Sequence, residues 1–230
     1  MKNFLRTHKH VWVCAYLLFY FPAFFWLENR EVSHYTVIQS SWDAAIPFLE
    51  IFIIPYLFWF VYQIAAVVFF LFREKSEYYK LTACLFLGMT VFLIVSYLMP
   101  NRLTLRPSEF ERSNIFTAMV QFLYAIDTPT NVFPSIHVYN SLCVAEAVLD
   151  SRALRDRRGI RIGSVVTSAL IILSTVFLKQ HSLVDVAGAF VMAGFFHWAV
   201  YLEGYRTMWA FLCGSPRPGR LGLSHPRQRK

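Results

Sequence analysis

The stretch AAIPFLEIFIIPYLFWFVYQIAAVVFFLF, residues 44–72, decides the fold. Its only charge is Glu50, and it exceeds the roughly 20 apolar residues that carry a helix across a bilayer. Pro47 and Pro55 fall inside it, so the segment is expected to kink, tilt or run on into water. Working outward, apolar runs at 11–27, 80–99, 136–150, 163–178 and 182–203 are further candidate spans. Hydrophobic residues make up 57% of the 230 and charged residues 16%, against about 25% charged in soluble domains. The expected fold class is all-α: a polytopic membrane protein built as a six-helix transmembrane bundle. That bundle is expected over residues 1–213 as a single domain. A basic tail rich in Gly, Pro, Arg and Ser follows over 214–230, with the composition of a disordered cytoplasmic end.

The formal charge of +8 raises the question of nucleic acid, and its placement answers it. Lys2, Arg6 and Lys9 precede the first span, and Arg73, Lys75 and Lys80 separate the second from the third. Arg152, Arg155, Arg157, Arg158 and Arg161 separate the fourth from the fifth. Arg206, Arg217, Arg220, Arg227, Arg229 and Lys230 follow the sixth. Every second connection is basic, as the positive-inside rule requires of six spans with both termini cytoplasmic. The charge therefore encodes topology and attraction to anionic lipid, with no nucleic-acid partner implied. Cys14, Cys84, Cys143 and Cys213 lie in or beside apolar segments without ligand-like spacing and read as structural thiols. The N-terminal run is aromatic and lacks a small-x-small cleavage site, so it is expected to be a retained anchor.

On this topology the connections Glu28–Asp43, 100–134 and 179–181 share the extracytoplasmic side. Asn114–Ile126 has the pattern of a short amphipathic helix resting on the bilayer surface. Three fragments of different connections thereby reach one side: Leu105-Arg106-Pro107, Phe133-Pro134-Ser135-Ile136-His137, and His181-Ser182-Leu183-Val184-Asp185. His181 and Asp185 are four apart on one helical face, so the carboxylate can hold one imidazole nitrogen and free the other as a nucleophile. Ser135 occupies an N-cap position, and a helix terminus there offers unpaired amides to phosphate oxygens. His137 lies in that first turn, within reach of a leaving alkoxide. Asn140 and Ser141 share its face as candidate pocket residues. Arg106 offers a planar cationic fork, with Arg102 and Arg112 as competitors in the same loop. Lys179 either reaches a phosphate or snorkels toward headgroups. Glu50 is an intramembrane ionisable group of unassigned role. Each fragment alone has a plainer account, as ordinary capping, a buried hydrogen bond or a solvated cation.

In order and spacing the set resembles the type-2 phosphatidic acid phosphatase superfamily, which includes sphingomyelin-synthase-like transferases. Its pattern is Lys, six residues, Arg-Pro; then Pro-Ser-Gly-His; then Ser-Arg, five residues, His, three residues, Asp. Arg106-Pro107, then Pro134, Ser135 and His137, then Ser174, His181 and Asp185 match. Met99, Ile136 and Thr175 depart from the family's lysine, glycine and arginine, leaving Lys179 as a candidate replacement cation.

The resemblance implies a six-helix bundle acting without metal or other cofactor. His181 would be the nucleophile, Asp185 its support and His137 the general acid and base, with Arg106, Ser135 and Lys179 on the substrate. The expected activity is hydrolysis of a phospholipid or polyprenyl phosphate through a phosphohistidine, in the cell membrane with the site extracytoplasmic. The alternative is transfer of a phospho-headgroup to an alcohol. Two other readings compete: a transporter using the histidines as a proton path, and a metal hydrolase with His137, His181 and Asp185 as ligands.

Overall fold

The apolar runs fold as helices because only internal hydrogen bonding satisfies the backbone where water is excluded. The computed structural model describes residues 8–202; Lys2, Arg6, Cys213, Arg206 and the tail 214–230 lie outside them. Among the described residues five helices are long and apolar enough to cross a membrane, as a multi-pass membrane protein requires. The first starts as 3-10 turns over Lys9–Tyr16 and continues as α1, Leu17–Asn29. The others are α2 (Ile53–Leu71, preceded by a 3-10 turn at Glu50–Phe52), α3 (Lys75–Leu98), α6 (Arg158–Phe177) and α7 (Leu183–Val200). Between them lie α4 (Ile115–Ile126) and α5 (Ile136–Asp150). Leu18, Ile94, Val166 and Val191 are exposed, the inverse of a water-soluble surface.

Two segments depart from expectation. Residues 44–72 do not form one kinked helix: a 3-10 turn at Ser41–Ala45 is followed by extended chain at Ile46, and helix resumes only at Glu50. Pro47 falls in the break. Pro55 falls in the first turn of α2, where a missing N–H costs nothing. The fourth expected span is the 15-residue α5; at about 1.5 Å per residue it falls short of a hydrocarbon core about 30 Å thick. It does not need that length, because it runs through the middle of the bundle against α3, α6 and α7. Val138, Tyr139, Cys143, Val144 and Ala147 on it are all buried.

Packing around α5 is close. Gly88 of α3 leaves room for the Tyr139 ring, which a Cβ there would meet at 2.0 Å, and the Tyr139 hydroxyl donates to the Cys84 carbonyl at 2.6 Å. At one end of the bundle β1 (Thr36–Val37) runs parallel to β2 (Asn101–Arg102), gathering the loops that follow α1 and α3. Asn101 extends this knot: its Oδ1 accepts from Val132 N at 2.8 Å and Phe133 N at 2.9 Å, directing the chain into α5. At the other end Glu77 accepts from the Ser151 hydroxyl at 2.7 Å and Arg152 N at 2.8 Å, and Lys80 pairs with Asp150 at 3.1 Å.

Candidate active site

The turn from α6 to α7 is tight. Lys179 takes the left-handed conformation (φ 52°), and the Gln180 and His181 amides both donate to the Thr175 carbonyl, at 2.9 and 3.0 Å. Ser182 then caps α7, and Asp185 returns the capping box by accepting Ser182 N on Oδ2 at 2.8 Å. The same Oδ2 lies 3.4 Å from His181 Nδ1. Asp185 is fully buried and its Oδ1 has no hydrogen-bond partner.

Ser135 caps α5, its Oγ accepting from Val138 N at 3.3 Å, and its own amide donates to the Asp185 carbonyl at 3.3 Å. This joins the starts of α5 and α7. Phe133 lies on Gly188, where a Cβ would meet the ring at 2.5 Å. His137, in the first turn of α5, is flanked by the rings of Tyr56 and Trp59, with centroids at 4.7 and 4.5 Å. Its Nδ1 lies 3.4 Å from His181 Nε2. Asp185, His181 and His137 therefore form a line, carboxylate to imidazole to imidazole. Among the described residues no three His, Cys, Asp or Glu side chains converge as metal ligands; here the acid and His137 take opposite nitrogens of His181.

Arg106 joins this group through an intermediary. Its Nη2 donates to Gln180 Oε1 at 2.5 Å and its Nη1 to the Asp127 carbonyl at 2.7 Å, while the guanidinium lies 4.5 Å over the Tyr124 ring. Burial pulls its pKa below the ordinary arginine value, with the Asp127 carboxylate opposing. The Asp127 carboxyl is pushed above the usual carboxylate range by burial, against the influence of Arg106, His181 and the Tyr56 hydroxyl.

Lys179 goes elsewhere. Its ammonium donates to the Asp43 and Ile46 carbonyls at 2.8 and 2.5 Å, and burial lowers its pKa. Two residues before His181, the left-handed turn sends its side chain into the loop ahead of α2. The expectation of a phosphate-binding cation there is not met. Ser135 is fully buried in its capping role. Ser141 turns back to the His137 carbonyl at 2.7 Å, and Ser174 to that of Ile171 at 2.6 Å. Glu50 accepts from Asn114 at 3.0 Å and lies 3.6 Å from Arg112, away from the histidines.

Residues passed over in the sequence also belong to the site, among them Asp43, Gln180, Glu28 and Asp127. Asp43, itself 1% exposed, accepts the Ser182 hydroxyl at 2.6 Å and Leu183 N at 2.9 Å. Its available signal was the Ser40-x-x-Asp43 capping box, in which Ser40 N donates to Asp43 Oδ2 at 2.7 Å. Gln180 and Glu28 had no motif to mark them. Glu28 accepts from Asn131 Nδ2 at 2.8 Å and from the Thr128 hydroxyl.

These groups meet at a cavity of about 600 Å³. Its walls are apolar and aromatic, from Tyr20, Phe24, Phe60, Ile64, Val67 and Phe86 among others. Its polar lining includes Glu28, Asp127, Asn131, His137, Asn140, Gln180 and His181. Such a space suits an amphiphile: hydrocarbon along the helices, a polar group against the imidazoles. No family model, curated protein or solved structure matches the chain.

Proposed function

We propose that the chain is a membrane-embedded enzyme that breaks a phosphate ester of a lipid through a phosphohistidine on His181. The observation that carries this reading is the line of Asp185, His181 and His137 opening on an apolar cavity. With Nδ1–H donated to Asp185, the Nε2 lone pair of His181 attacks a phosphorus that enters between it and His137 Nδ1. The P–N bond forms as the P–O bond to the leaving alcohol breaks, and the electron pair stays on that oxygen. His137, held between the rings of Tyr56 and Trp59, gives the oxygen its proton. Asp185 balances the positive charge that develops on His181. Neutral His137 then takes the proton of an incoming hydroxyl whose oxygen displaces His181 from phosphorus. Water as the acceptor gives hydrolysis; an alcohol gives transfer.

The order of the three fragments supports membership of the type-2 phosphatidic acid phosphatase superfamily. The alternation of basic connections supports cytoplasmic termini and an extracytoplasmic site, with α5 as a short sixth span sheathed by its neighbours. The test incubates purified protein with labelled lipid phosphates and phospholipids, with and without an alcohol, and follows released phosphate or headgroup and new phospholipid. His181→Ala is expected to abolish turnover, and undiminished turnover in that variant overturns the nucleophile.

A further inference from the structure

Among the described residues that line the cavity there is no lysine or arginine. The nearby cation, Arg106, spends its two terminal nitrogens on Gln180 Oε1 and the Asp127 and Tyr124 carbonyls. The lining carries two carboxylates instead, Glu28 and Asp127. Glu28 is oriented by Asn131 and Thr128, and Asp127 accepts from the Tyr56 hydroxyl at 3.4 Å. Phe24 and Phe25, one turn before Glu28, line the same space.

Three amides in the lining, Gln63, Gln180 and Asn140, each carry a buried polar atom without a hydrogen-bond partner. Gln180 is 3% exposed and its Nε2 has no hydrogen-bond partner, because Arg106 holds the amide by its oxygen. Asn140 is 5% exposed with an unpaired Oδ1, one turn beyond His137. Orphaned buried polar atoms are costly unless something pairs them.

We infer that the cavity binds a zwitterionic phosphodiester lipid, with the Gln180 amide on the phosphate and Glu28 and Asp127 on an ammonium headgroup. A doubly charged phosphomonoester calls for fixed cations at short range, and two carboxylates near it raise its energy. A phosphodiester carries one negative charge, which a neutral donor polarised by Arg106 can satisfy. An ammonium group gains from paired acids and aromatic faces. For its chemistry this inference rests on the reading above; for its ligand it stands on the lining alone.

Binding and turnover are therefore tested separately. Purified His181→Ala protein in detergent micelles is titrated with three lipids of equal chain length: phosphatidylcholine, phosphatidylglycerol and phosphatidate. Thermal unfolding is the readout. Phosphatidylcholine is expected to stabilise at concentrations about tenfold below those needed for the other two. Adding Glu28→Gln with Asp127→Asn should erase that margin while leaving the phosphatidylglycerol response in place. Adding Gln180→Ala should weaken both diesters. Equal stabilisation by all three, a preference for phosphatidate, no stabilisation by any, or a margin that survives the acid substitutions overturns the inference. Selective stabilisation without turnover of any lipid by the unsubstituted enzyme sinks the phosphohistidine reading and leaves the headgroup site standing.

Discussion

Asp43 reaches across 139 residues of sequence to accept the Ser182 hydroxyl at 2.6 Å, fixing the turn that presents His181. Its second oxygen takes Leu183 N at 2.9 Å and its own carbonyl takes the Lys179 ammonium at 2.8 Å. The loop before α2 thus acts as a clasp on the start of α7. Asp43→Ala removes an acceptor from several buried donors at once, each worth about 1–3 kcal/mol. The expected result is a lowered melting temperature and a fall in kcat larger than the change in KM, with partial rescue in Asp43→Asn. Unchanged kcat in a folded Asp43→Ala protein would show that the clasp does not position His181.

Lys179→Ala should behave as a structural lesion. The ammonium satisfies two loop carbonyls, so about 1–3 kcal/mol of stability is at stake. KM for any lipid substrate should hold in protein that remains folded. A selective rise in KM would restore the role of phosphate-binding cation to this residue.

His137→Ala should lower turnover by about 10²–10⁴-fold, the usual contribution of a positioned acid or base. The defect should shrink for substrates with a good leaving group, which need no protonation. Steady-state rates on a nitrophenyl ester and an alkyl ester of the same phosphate would check this; an equal loss on both would remove the general-acid role.

Asp127 gives a pH signature. Burial raises its folded pKa above the ordinary carboxylate value of 3.8, in a setting that includes Arg106, His181, Tyr56 and Glu28. A raised folded pKa means that stability from the protonated form is present below the unfolded pKa. It is lost as pH climbs through the folded one. The difference in stability between the parent protein and Asp127→Asn should therefore move against the parent as pH rises from about 4, then level off. A flat difference across that window, in chemical denaturation at several pH values, would contradict it.

Gly188 is where Phe133 crosses α7, with no space for a Cβ. Gly188→Leu should push Phe133 and the α5 start away from Asp185, lowering stability by about 1–3 kcal/mol and turnover with it. Gly163, with nothing within 4 Å of an added Cβ, is the control: its alanine variant should be silent in both assays.

The helices were legible because nearly charge-free runs of membrane-spanning length have few alternatives, and the positions of α1, α3, α6 and α7 follow them within a few residues. The interruption at Pro47 was half legible: the proline marks it, but the Lys179 ammonium on the carbonyls of Asp43 and Ile46 depends on distant contacts. The bounds of α5 were read as they stand, at 136–150; its place inside the bundle was not, because hydropathy cannot distinguish lipid from neighbouring helices as surroundings. His137, His181 and Asp185 could be nominated from spacing and residue chemistry. Lys179 could not be judged the same way, since nearness along the chain says nothing of direction when the backbone turns left-handed. Glu28 was invisible for the opposite reason, since its partners lie far away in sequence, and Asp43 showed only its local capping box with Ser40.

Sheathing α5 in protein has a consequence for how the protein meets different membranes. The depth of His137 is set by α3, α6 and α7, and the outer helices can absorb a change in bilayer thickness by tilting. Catalytic rate should then be indifferent to the acyl length of the host lipid, even where the protein's partitioning among membranes is not.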